Sequence, residues 1–235
     1  SVAWAPRRMD LFPIPSAYSP EPLPWADMLA VHESRHVSQM QFGMTKALRP
    51  GNWIFGEMFN ILVSLVYPGI STMEGDAVIT ETAYSKSGRG RTAGFLNYYR
   101  VALDNGINRS WGQWRFESQR NYTPTYYALG YLTTGGIRTF YDYPEYMSDS
   151  YHLIARKPYR FGTFHRLAKE KAGKKWFNEV FMEVAGKMNL IWKEEADLRR
   201  PYIPMEAVTE EPRLYTDYTC CFFIGDQLHS LREGL

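Results

Sequence analysis

Residues 25–42 read WADMLAVHESRHVSQMQF. Trp25, Met28, Leu29, His32, His36, Val37 and Met40 recur near the 3.6-residue period of an α-helix, which predicts one helix over 25–42. Pro24 precedes it, where a helix start tolerates proline, and Gly43 lies near its end. Inside it, His32-Glu33-Ser34-Arg35-His36 is HExxH. Residues four apart share a helix face, so both imidazoles can grip one metal ion. Glu33 stands beside His32, on the side where a metal site keeps its open position. Zinc takes ligands of this kind and brings its bound water toward a pKa of ~7.

A catalytic zinc needs a third protein ligand. The remaining histidines are His152, His165 and His229, and none continues the motif at the HExxHxxGxxH spacing, since Gln39, Phe42 and Gly43 fill that stretch. A carboxylate from a later helix is expected instead. Glu74 opens such a helix, predicted over 73–84, in Met73-Glu74-Gly75-Asp76-Ala77 with acidic residues in its first turn. Gly75 and Ala77 are small enough to let two helices approach closely. Glu57 is the rival ligand, because it lies in an apolar segment where an unpaired carboxylate is costly. Asp76 and Glu81 either orient the imidazoles from behind or sit as solvated charges on a helix face.

HExxH followed by a helix bearing EGxA resembles the gluzincin branch of the zincin-like metallopeptidases. That resemblance implies His32, His36 and Glu74 as zinc ligands and Glu33 as general base. It departs from the family in spacing, for 37 residues separate His36 from Glu74, and the apolar helix at 53–67 reads as an insertion. Tyr126-Tyr127-Ala128-Leu129-Gly130 resembles the family's YxxG helix, which implies Tyr127, with Tyr126 as fallback, as the donor that stabilises the oxyanion. The resemblance implies a peptide or protein substrate. Residues 211–235 resemble the opening strands of a TolB-like β-propeller, which implies a downstream propeller domain and an extracytoplasmic setting, periplasmic or at the cell surface.

The rest of the chain fits this outline. It has 235 residues, and a net charge of +2 argues against a protein that binds nucleic acid by neutralising phosphates. Adjacent Cys220 and Cys221 offer no disulfide framework. The apolar window from Trp53 to Tyr67 is too short to span a bilayer and carries Glu57, so a buried or amphipathic helix is expected and no transmembrane segment. Residues 1–24 hold six prolines and predict an extended arm with one short strand near Met9–Ile14. The abrupt start at Ser1 reads as a fragment of a longer protein. Further helices are predicted near 95–105, 124–140, 144–156, 160–172 and 174–186. The Gly-rich basic loop Ser87-Gly88-Arg89-Gly90-Arg91 either meets a substrate anion or is a flexible turn, and Trp111 and Trp114 are read as core.

The expected fold is α+β and mainly helical, a zincin-like domain over 25–200 between an arm at 1–24 and an extended tail at 201–235. Zinc-dependent peptide hydrolysis is the expected function. The alternatives are a zincin-fold binding or scaffold module of weak catalysis, and a zinc hydrolase of non-peptide amides or esters.

Overall fold

A computed structural model describes residues 2–4, 8–11, 14, 23–67, 69–116, 122–204, 206 and 218–232. The architecture is α+β and mainly helical, with two separate antiparallel hairpins near the ends. The first hairpin pairs β1 (Val2–Trp4) with β2 (Arg8–Asp10) and lies against the helix that carries HExxH. The expected strand near Met9–Ile14 is thus shorter and earlier, and it has a partner. Phe12 and Pro13 of that expected strand lie outside the described residues.

The body begins with α1 (Trp25–Met40), which ends in a tighter 3-10 turn at Gln41–Met44 and not as a regular helix to Phe42. The expected helix over 53–67 is two helices, α2 (Arg49–Phe55) and α3 (Glu57–Val66). Gly56, at φ +60°, breaks them where a side chain would be strained. Pro50 and Gly51, read as a turn, instead sit in the first turn of α2, where proline's missing N–H is an orphan in any case. The next helix, α4 (Ile70–Tyr84), starts three residues earlier than expected. Glu74 therefore sits past the first turn, on a rigid stretch of helix.

Then follow α5 (Ala93–Asp104), α6 (Trp111–Arg115), α7 (Tyr126–Phe140), α8 (Tyr146–Arg156), α9 (Thr163–Ala172) and α10 (Phe177–Asp197). The short α6 was not expected; Ser110 and Gln113 close a reciprocal cap at its start. The expected end of the last helix near Gly186 is overrun by eleven residues. Gly186 is exposed, and the turns beyond it bury Trp192 against the body. The core gathers around α7, between α4 and α10, with Tyr99, Trp114, Leu129, Ile137, Tyr146 and Phe181 fully buried.

A second hairpin pairs β3 (Tyr218–Ile224) with β4 (Gln227–Arg232). Phe222, Phe223, Ile224 and Leu228 are exposed on it.

The tightest contact joins α4 to α7. A methyl group at Gly75 would land on the backbone of Gly130 and Tyr131, and one at Gly130 on the carbonyl of Ser71. Ser71 Oγ also donates to the Tyr126 carbonyl at 3.1 Å across the same crossing. Gly130→Ala must push the two helices apart, an overpacking cost of about 1–3 kcal/mol. Gly94→Ala, in α5 with open space around the new methyl, should instead be neutral or slightly stabilising. The Gly130→Ala chain should melt below the parent and Gly94→Ala no lower than it, and a Gly130→Ala chain that melts no lower than Gly94→Ala would refute the crossing.

Candidate metal centre

The side chains His32, Glu33, His36 and Gln39 all fall on the buried face of α1. This face lies against α4, and Glu74 meets the histidines there. His32 Nε2 is 2.9 Å and His36 Nε2 3.0 Å from Glu74 Oε2, and the two Nε2 atoms are 3.1 Å apart. Three donor atoms thus form a nearly equilateral triangle. Among the described residues this is the one group of His, Cys, Asp and Glu side chains whose donors converge closely enough to share an ion. Donors sharing a tetrahedral zinc at ~2.0–2.1 Å lie ~3.3 Å apart. The triangle needs to open by only a few tenths of an ångström to fit.

The groups behind the imidazoles aim them. Gln39 Nε2 donates to the Met73 carbonyl at 3.1 Å and to Asp76 Oδ2 at 2.8 Å. This fixes the amide, so Gln39 Oε1 accepts from His36 Nδ1 at 2.8 Å. His36 Nε2 then faces the centre. Behind His32, Glu81 Oε2 is 3.2 Å from Nδ1. Arg89 grips that carboxylate with two donors, Nε to Oε1 at 2.6 Å and Nη2 to Oε2 at 3.0 Å, and Nη2 lies 2.9 Å from His32 Nδ1. Asp76, fully buried, also accepts from Arg35 Nε at 2.6 Å.

These contacts decide between the readings left open by the sequence. Glu81 orients His32 directly, and Asp76 orients His36 through Gln39; neither is a solvated surface charge. Glu57 is exposed at the first turn of α3 and lies outside the convergent group. His165 stacks on Phe177 at 3.8 Å, and burial holds its pKa down to about 4. His152 packs on Phe42, and His229 on Phe222. The basic loop is neither a flexible turn nor an open anion cradle. Arg89 is committed to Glu81, Gly90 N donates to Thr82 Oγ1, and Arg91 Nη2 donates to the Thr82 carbonyl. Trp114 is core, while Trp111 is part-buried between His165 and Phe177.

Tyr127 reaches the same centre from α7, its ring centroid 6.1 Å from that of His32. The Arg89 guanidinium carbon lies 5.2 Å from the Tyr127 ring centroid. Tyr126 stacks on Tyr127 and meets Arg115. Burial, then the Glu74 carboxylate, push the Tyr127 ionisation far above its ordinary range, so the phenol keeps its proton. Glu33 is 5% exposed, and no described residue hydrogen-bonds its carboxylate. Gln39 and Arg89 are the parts that sequence reasoning missed. Gln39 carried a signal, since it stands three residues after His36 on one helix face.

Protons hold the cluster together in the chain alone. Burial opposes charge on Glu74, but hydrogen bonds from His32 and His36 outweigh it and hold the carboxyl down to about 2. Glu81 is likewise lowered, against burial, by hydrogen bonds from His32 and Arg89. Burial disfavours the His32 cation, yet bonds to Glu74 and Glu81 raise its pKa. A raised imidazole stabilises the fold fully below its ordinary 6.5 and loses that contribution as pH rises through its native value. Lowered carboxyls stabilise above their ordinary 4.5 and lose it as pH falls through their native values. The cluster alone therefore contributes most between 4.5 and 6.5. An ion must displace the proton of His32, so its binding strengthens as pH rises. Melting temperatures above pH 6.5 should fall in chelator while the increment from added zinc grows; an increment independent of pH would contradict the competition.

Comparison of the chain with models of protein families, with curated proteins and with solved structures finds no match.

Proposed function

We propose that the chain is a zinc-dependent hydrolase of peptide bonds, built as a zincin-like metallopeptidase of the gluzincin type. The observation that carries this reading is the convergence of His32 Nε2, His36 Nε2 and Glu74 Oε2 within 3.1 Å beside a buried Glu33 that no described residue engages. Two imidazoles and one carboxylate form a donor set that suits zinc. The choice of peptides over other amides rests on the resemblance of HExxH and EGxA to that branch.

His32, His36 and Glu74 hold the ion. When bound, it supplies a Lewis acid that polarises a carbonyl and a water of lowered pKa. Glu33 is the general base. Its carboxylate accepts a proton from the attacking water and returns it to the leaving nitrogen, and no described residue competes for it. Tyr127 supplies a neutral phenol O–H beside His32, and burial keeps it protonated as a donor to negative charge on the substrate oxygen. Glu81 and Gln39 hold the two rings so that Nε2, not Nδ1, faces the ion. Arg89 neutralises Glu81 and so limits the charge of the pocket wall.

Each role has a separable signature. His36→Ala and Glu74→Ala should abolish stoichiometric zinc in elemental analysis. Glu33→Gln should keep zinc and lose ~10²–10⁴-fold in turnover of a casein or peptide-library substrate. Tyr127→Phe should keep zinc and lower kcat by ~10²–10³-fold, with little change in KM. Gln39→Ala should weaken zinc affinity by ~10–100-fold without removing a ligand. Full turnover by zinc-loaded Glu33→Gln would reject the mechanism, and absence of zinc from the parent chain after incubation would reject the site.

A further inference from the structure

The apolar helices α2 and α3 turn much of their apolar surface outward. Trp53 is 87% exposed, and Ile54, Phe55, Met58, Leu62 and Leu65 are each more than half exposed. Exposed apolar side chains gathered on two consecutive helices in this number mark a contact surface more often than chance exposure does. The amphipathic one of the two expected readings fits α3, whose exposed stripe is the outer half of a seated element. Its inner stripe, Phe59, Asn60 and Val63, packs on the body. Gly51 of α2 backs directly onto the Phe59 ring, and Asn60 Nδ2 donates to Asn52 Oδ1 at 2.5 Å. The two helices form a preformed platform.

The platform continues into a second segment. Tyr67, just after α3, donates its hydroxyl to the Pro158 carbonyl and stacks on Phe161 at 5.6 Å. Residues 156–161 read RKPYRF, with Tyr159 69% and Phe161 75% exposed. The charges next to these segments in the chain have one dominant sign: Lys46, Arg49, Arg156, Lys157 and Arg160, against the single carboxylate of Glu57 between 41 and 67 and none between 150 and 169. Arg49 stands one turn before Trp53 on the same helix face. The chain as a whole is nearly neutral, so this face concentrates its positive charge.

Aliphatic side chains with exposed aromatics and a rim of Arg and Lys match the bilayer interface, where apolar groups enter the acyl boundary, rings sit at headgroup depth and cations meet anionic phosphates. No helix of the described residues is long and apolar enough to cross a membrane. We propose that α2, α3 and the 156–161 segment dock this protein in-plane on an anionic lipid surface. The attachment uses none of the metal ligands and stands apart from the hydrolytic reading.

Sedimentation of the full chain with vesicles tests it. The chain should pellet with phosphatidylcholine vesicles containing phosphatidylglycerol, pellet less with phosphatidylcholine alone, and dissociate as salt rises. Trp53→Ser with Leu62→Ser should weaken binding to the anionic vesicles by about tenfold or more. Arg49→Glu with Lys157→Glu should remove the preference for anionic lipid. Both pairs alter exposed side chains, so zinc content and melting temperature should match the parent, and this separates a failure of docking from a failure of the metal site. Lack of sedimentation with either vesicle overturns the proposal, as does equal sedimentation of the parent and the Trp53/Leu62 variant. A lipid-free dimer in analytical ultracentrifugation that Trp53→Ser with Leu62→Ser dissolves also overturns it, because a second copy then covers the face.

Discussion

Two helix backbones touch where Gly75 of α4 meets Gly130 of α7, and the centre is assembled around that contact. Any side chain there would hold the helices apart by at least the width of a methyl group, and packed interiors do not absorb such a change cheaply. With the backbones in contact, Glu74 is carried into the face of α1 that bears His32 and His36. Tyr127, three residues before Gly130, is carried beside His32. The same contact therefore fixes the carboxylate and the phenol relative to the two imidazoles. Both come from helix interiors, which hold a geometry better than loops do.

Such a centre is expensive to bury. Asp76 and Glu81 are fully buried, and His32, Glu33 and His36 nearly so. A buried charge without partners is strongly destabilising, and a paired one roughly breaks even. The structure meets this with two polar chains. One runs from Arg35 to Asp76, Gln39 and His36; the other runs from Arg89 to Glu81 and His32. Each acid behind a ring has an arginine on its far side. The two rings are then free to turn their Nε2 atoms toward Glu74, and the stability of the site depends on what sits between them, a proton or an ion. Glu33 stands outside both chains.

The outer platform and the centre share α1 as a neighbour, since α3 packs on the helix that carries HExxH and on the 3-10 turn that follows it. Residues between His36 and Glu74 thus have a structural use of their own. They lengthen the interval between His36 and Glu74, yet α4 still returns to α1. The return depends on the crossing with α7 and not on the length of the connection, because closing a longer loop adds only slowly to the entropic cost.

The sequence alone determined the parts that are local. Periodicity put His32, Glu33 and His36 on one face of a helix, because four residues make about one turn. Prolines excluded a helical arm, and the run of helices through the body was visible from apolar spacing and glycine stops. The helix starts were less legible: Gly69 began α4 early, Gly56 split one apolar run into two helices, and Gly186 failed to stop α10. Glu74 was reached as a carboxylate on a later helix with Glu57 as its rival, and Tyr127 only through a resemblance. Only the tertiary structure brought Glu81 and Arg89 behind His32, 49 and 57 residues away in the chain. It also set Gln39 between His36 and Asp76, removed Glu57 from the centre, and turned the apolar face of α2 and α3 outward. Sequence shows which residues are apolar or charged, but the side of an element that is covered depends on which other elements arrive there, and that is a property of the packed fold.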